Sequence, residues 1–204
     1  MSGFLHCMTV KNRDPWSEVT KNKRNVQDRG IGKIFVIFGN QNSGKTHTAW
    51  LVYNLLKNNG RECADLLETH EDQRVLTYEE VLHHIVETFN DQNVSAISDF
   101  RAIIEINKER VAIFSAGDYV DDPDWDVTSF VKNIKWAEDK DAKYVVCTAR
   151  HYNKTNSVHK YLKDHYNQKI YKWYYKSKSD LLEERLCDAE NVAKQVIRDL
   201  LNIL

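Results

Sequence analysis

Proline is almost missing from this 204-residue chain, which has two, and glycine is sparse at seven. No internal repeat and no low-complexity linker divides it. Four cysteines (Cys7, Cys63, Cys147, Cys187) lie far apart, with no C-x-x-C and no histidine at metal-ligand spacing. Neither a disulfide framework nor a zinc site is expected, and the pattern suits a reducing compartment. Charge of one sign is also lacking: 29 basic residues face 30 acidic ones, so no overall field draws nucleic acid or membrane. No apolar run approaches membrane-spanning length, and the start lacks an apolar signal core. The expectation is a cytoplasmic protein without membrane contact. What is present is a 42 % apolar content, enough for one well-buried α/β domain.

The most informative stretch is Gly39-Asn40-Gln41-Asn42-Ser43-Gly44-Lys45-Thr46, which fits G-x-x-x-x-G-K-[ST] without a gap. An apolar run, Lys33 to Phe38, precedes it, and His47 to Lys57 reads as a helix that stops at Asn58-Asn59-Gly60. A strand, a glycine-bounded loop and a helix are the setting in which this motif cradles phosphate. Gly39 and Gly44 are expected at positive φ, turning successive N–H groups inward. The helix N-terminus adds free donors and the positive end of its dipole.

On these residues the chain resembles the P-loop NTPase superfamily and its Walker A motif. The resemblance implies that Asn40 to His47 line the phosphates of ATP or GTP, that Lys45 reaches the β- and γ-phosphates, and that Thr46 ligates Mg²⁺. Asn42-Ser43 departs from the G-x-x-G-x-G-K form of many nucleotide kinases, so no subfamily follows.

Residues 1–30 read as a polar arm with a turn at Asp14-Pro15 and a basic knot at Lys21, Lys23 and Arg24. The arm is either loosely packed or a docking segment anchored by Trp16. Residues 31–204 form the nucleotide-binding domain. Arg61 to Leu67 holds a short strand. Tyr78, Val81, Leu82, Ile85, Val86 and Phe89 repeat at helical spacing, with Thr77 and Glu80 as a capping box and His83-His84 on the surface. A further helix is expected over Ser98–Glu109.

Arg110 to Phe114 reads as a parallel strand beside the P-loop strand, ending in Ser115-Ala116-Gly117-Asp118. Such a strand delivers a carboxylate to the metal, which makes Asp118 the candidate metal ligand and Ser115 a phosphate contact. A plain tight turn is the alternative. Asp121, Asp122, Asp124 and Asp126 either hold metal or form a solvated loop before a helix over Asp126–Glu138. Ala142 to Thr148 is a strand that brings Arg150 to the same edge, where an arginine can meet transferring phosphoryl charge or lie on the surface. His151, Tyr152 and Lys154 follow in a polar loop. After a helix carrying Val158, Tyr161, Leu162, His165 and Tyr166, Tyr171, Trp173 and Tyr175 alternate with lysines along a strand. That strand is either a nucleic-acid stacking surface or a lysine-guarded edge. The closing helix from Ser179 carries an apolar stripe wide enough to cover one sheet face and extend to a homodimer contact.

The whole predicts a three-layer α/β/α sandwich around a mostly parallel, about five-stranded sheet, the P-loop NTPase fold. The functional expectation is Mg²⁺-dependent phosphoryl transfer with Lys45, Asp118 and Arg150 as catalytic groups. The acceptor is an unknown small molecule or water, and Glu68, Glu71, Asp118 and Asp121 are open as general base. The alternatives are a nucleotide switch acting on a protein partner, with little turnover, and a nucleic-acid-linked ATPase.

Overall fold

A computed structural model describes residues 30–63, 67–70, 74–91, 93–118, 120–121, 126–150 and 157–204. The readings of residues 1–29, Glu71, Asp122, Asp124, His151, Tyr152 and Lys154 lie outside the described residues.

The described chain is α/β, with seven strands in one mixed sheet and five helices. In chain order the elements are β1 (Lys33–Gly39), α1 (Lys45–Asn59), β2 (Arg61–Glu62), β3 (Glu68–Thr69), α2 (Tyr78–Asn90), β4 (Phe100–Ile106) and β5 (Glu109–Phe114). They continue with α3 (Phe130–Asp139), β6 (Tyr144–Arg150), α4 (Val158–Tyr166), β7 (Ile170–Tyr175) and α5 (Leu182–Leu201). The strand order is β2-β4-β5-β6-β1-β7, with β3 also on β4. Strands β5, β6, β1 and β7 run parallel, whereas β4 is antiparallel to β5, and β2 and β3 are antiparallel to β4.

Three expectations change here. The segment read as a helix over Ser98–Glu109 is strand β4. Phe100, Ala102, Ile104 and Ile106 alternate onto one core while Ile103 enters the other, a period of two that outweighs the helical spacing of Phe100, Ile103 and Ile104. Asn107 and Lys108, at φ 52 and 68, close the β4–β5 hairpin. Two consecutive left-handed residues give the turn whose twist matches antiparallel strands. The sheet is therefore mixed and larger than five mostly parallel strands. Finally, β5 does not neighbour β1, because β6 lies between them.

Alternation along the inner strands feeds two cores. Phe35 and Ile37 face α1, α2 and α5, whose Trp50, Leu51, Leu56, Val81, Val196 and Leu200 are buried there. Ile34 and Val36 face α3 and α4, with Phe130, Ile134, Val158 and Leu162. Helix α2 starts on the expected capping box, with the Thr77 side chain accepting from Glu80 N and the Glu80 side chain accepting from Thr77 N. Helix α3 begins at Phe130, later than expected, because the Ser129 hydroxyl caps it by accepting from Lys132 N. At the β7 edge the register slips between Ile34 and Phe35. Tyr171 thereby shares the Phe35 face with Tyr174, at 4.9 Å between the Tyr171 and Phe35 rings, instead of lining up with Trp173 and Tyr175.

Parallel β1, β5, β6 and β7 end at one edge of the sheet, and antiparallel β4 begins there. Gly39, Asp99, Ser115, Arg150 and Lys176 are gathered on that edge by strand direction alone.

Candidate functional site

The loop between β1 and α1 is built by two different glycine requirements. Gly44 sits at φ 83 as the N-cap of α1, a left-handed position that glycine takes without strain. Gly39 is not among the positive-φ residues, contrary to expectation; Asn42 is, at φ 58. What Gly39 provides is closeness. A Cβ there would collide with the Lys176 carbonyl oxygen and come within 2.6 Å of Ser43 Oγ. Asparagine tolerates the left-handed conformation at Asn42 better than most residues. Helix α1 has no side-chain cap and no acidic residue in its first turn. Its first N–H groups and dipole therefore point at the loop uncompensated.

Inside the loop, Lys45 is buried, and its Nζ donates to the Asn40 carbonyl at 3.0 Å. Burial pulls its pKa down, Asp118 and Asp99 oppose this, and Arg150 adds to it. The Ser43 hydroxyl is buried with no hydrogen-bond partner among the described residues. Thr46 Oγ1 faces Asp99 Oδ1 at 3.4 Å.

Asp99 carries no site signal in the sequence, because the spacing of Phe100, Ile103 and Ile104 predicts a helix there. It precedes β4 and is held from both sides. The indole N–H of Trp50 donates to the Ser98 carbonyl at 3.1 Å, and the Trp50 ring stacks on Phe100 at 4.0 Å. Ser115 Oγ donates to Asp99 Oδ1 at 2.7 Å and accepts from Phe100 N at 3.0 Å. Burial pushes the Asp99 carboxyl above the ordinary aspartate value; the Ser115 hydroxyl opposes this and Asp118 reinforces it. The Ser115 hydroxyl is therefore engaged with Asp99.

Asp118 lies farther out. Its Oδ2 accepts from Arg150 Nη2 at 2.7 Å, and Arg150 N donates to the Gly117 carbonyl at 3.0 Å. Thr148, the β6 residue in register with Ile37, donates its hydroxyl to the Ser115 carbonyl. Lys45, Asp99, Asp118 and Arg150 thus form one charged cluster. The other proposed carboxylates are engaged elsewhere. Glu68 is paired with Arg101, Asp121 accepts from Ser129 Oγ, and Asp126 pairs with Lys132. Among the described residues no group of three or more His, Cys, Asp or Glu is placed to hold a metal.

His47 Nε2 lies 2.9 Å from His84 Nδ1, and His84 Nε2 lies 3.0 Å from the Ser95 carbonyl. A carbonyl only accepts, so His84 donates from Nε2 to the Ser95 carbonyl. Burial, with His84, Lys176 and Arg185 adding, holds the His47 pKa down at about 3. His84, expected on the surface, is half-buried and ties α2 to α1. Lys176 is almost fully buried. Its Nζ donates to Asp188 Oδ2 at 2.7 Å, and Asp188 also accepts from Ser177 N and Oγ. The pair anchors the segment after β7 to α5, directly behind Gly39.

Lys45, His47, Asp99, Asp118, Arg150 and Lys176 line one cleft of about 910 Å³. Phe89, Lys178 and Arg185 line it as well. Its volume is at the upper end of what ligand clefts occupy. No helix among the described residues is long and apolar enough to cross a membrane. No family model matches this chain, and neither a curated protein nor a solved structure matches it with significance.

Proposed function

We propose that this chain binds a nucleoside triphosphate, ATP or GTP, with Mg²⁺ and cleaves its γ-phosphoryl bond, to an acceptor or to water, on a P-loop NTPase fold. The observation that carries the reading is the Gly39–Thr46 loop itself. A left-handed residue at Asn42 and at Gly44, an uncapped helix N-terminus, a buried lysine and an unpartnered buried serine hydroxyl all converge where a polyphosphate would lie.

The donor set also suits Mg²⁺. That ion prefers oxygen ligands and keeps several waters, so it needs only one or two protein groups beside the phosphates. Thr46 Oγ1 and Asp99 are those groups, and the absence of a multi-carboxylate cage among the described residues is compatible with such a site. Mg²⁺ held by Thr46 and Asp99 would supply positive charge against the charge that develops on the phosphates. Lys45 then exchanges the Asn40 carbonyl for phosphate oxygens. Arg150 meets charge on the transferring group, and Asp118 keeps its guanidinium over the cleft. Burial works against the Asp99 charge, and a cation beside it would offset that cost.

A second reading, the nucleotide-switched binding protein, gains support from the Asp118–Arg150 pair. Arg150 binds Asp118 through Nη2 alone, so a phosphate drawn to its other N–H groups would couple occupancy to the 115–118 segment. ADP release from Mg·ATP, alone and with candidate acceptors, separates the two readings. Stimulated turnover supports the enzyme, and tight binding without turnover supports the switch. Lys45→Ala is expected to abolish both binding and turnover while the melting temperature stays that of a folded protein. Unchanged nucleotide affinity in that variant would overturn the phosphate-site reading.

A further inference from the structure

Neighbouring residues of the loop meet different charges. Lys45 is within the electrostatic reach of Asp99, Asp118 and Arg150. His47, two residues on, is within that of Lys176 and Arg185. A triphosphate whose γ-end faces Asp99 and Arg150 therefore directs its other end past His47 toward Arg185. There the Arg185 guanidinium lies over the Phe89 ring, 4.9 Å from its centroid, and its Nε donates to the Ser179 carbonyl. The guanidinium is thus held by an aromatic ring and by the backbone, and Arg185 and Phe89 both line the cleft. A guanidinium fixed in this way is a platform for a nucleobase, since arginine planes stack on bases as aromatic rings do.

We propose that the nucleobase of the bound triphosphate stacks on the Arg185 guanidinium, with Phe89 as its support. Arg185 is thus a base-binding residue and not a further phosphate ligand. This rests on the phosphate-site reading above and assigns the remaining end of the same cleft.

The test compares Mg·ATP and Mg·GTP with Mg·tripolyphosphate, which has the phosphates and no base, by calorimetric titration of the full chain. Arg185→Lys keeps the charge and removes the plane. It is expected to weaken both nucleotides by about tenfold or more, the range of a lost stacking contact, and to leave tripolyphosphate affinity unchanged. Phe89→Leu, which removes the support and keeps an apolar side chain, is expected to act in the same direction on the nucleotides alone. If Arg185→Lys weakens nucleotide and tripolyphosphate equally, Arg185 is a phosphate contact and the proposal is wrong. Unaltered affinities in both variants, or wild-type protein that binds tripolyphosphate as tightly as ATP, overturn it as well. Lys45→Ala keeps the two readings apart: tripolyphosphate binding that survives it removes the phosphate site, whatever Arg185 does.

Discussion

Replacing Asp99 with asparagine is the perturbation that best separates stability from function at this site. Asparagine has nearly the same shape, and its Oδ1 can still accept from Ser115 Oγ and Thr46 Oγ1, so only the charge is removed. Burial raises the Asp99 pKa in the folded protein. A carboxyl whose folded value lies above its unfolded one favours folding at low pH and loses that contribution as pH rises through the folded value. At neutral pH the ionised side chain is thus a net cost to the fold. Removing it should stabilise the protein on the order of 1 kcal/mol, or about 2–4 °C in melting temperature for a chain of this size. The gain should be absent at pH 4 and present at pH 8. Turnover should move the other way. A carboxylate acting on the catalytic metal is worth several kcal/mol, so ADP release should fall about 10²- to 10³-fold and require more Mg²⁺. Thermal melts across pH and Mg²⁺ titrations of ADP release give both readouts. Wild-type turnover with unchanged Mg²⁺ dependence would refute the assignment of Asp99 to the metal, and a lower melting temperature at pH 8 would refute the desolvation argument.

The remaining expectations concern the frame behind the site. Asp188→Ala removes the carboxylate partner of the buried Lys176 ammonium, which keeps its bond to the Ser177 carbonyl, and frees two donors of Ser177. Loss of a partner to a buried charge typically costs about 3–5 kcal/mol, and chemical denaturation should show a loss of that order. His47 binds a proton at about 3 in the folded protein, against 6.5 unfolded. Its contribution to stability is therefore complete above pH 6.5 and is lost progressively as pH falls toward 3, on the order of a few kcal/mol. His47→Gln should flatten the melting temperature between pH 7 and 4; an unchanged acid profile would show that the burial of His47 carries no such energy.

Much of the frame was legible because its signals are local. Thr77 and Glu80 stand three residues apart before an apolar helical repeat, which is all a capping box requires, and the structure contains it. The runs that became β1, β5 and β6 are apolar on both faces, as strands buried between two helical layers must be. Asp99 was missed for an identifiable reason. Phe100, Ile103 and Ile104 satisfy helical spacing, while Phe100, Ala102, Ile104 and Ile106 satisfy strand alternation. The Asn107-Lys108 turn that decides between them carries no glycine. The same limit applies to Tyr171, whose facing depends on a register slip against β1 that β7 alone does not encode.

By itself the sequence determined the α/β class and the composition of the Gly39–Thr46 loop, because helix periods, strand runs and turn chemistry act over a few residues. Only the tertiary structure decided the sheet order, the antiparallel entry of β4, and which carboxylate lies beside Thr46. Those follow from strand direction and from packing between residues as far apart as Trp50 and Ser98, or Gly39 and Lys176. Such contacts are set by the whole core at once, and no short window of the chain contains them.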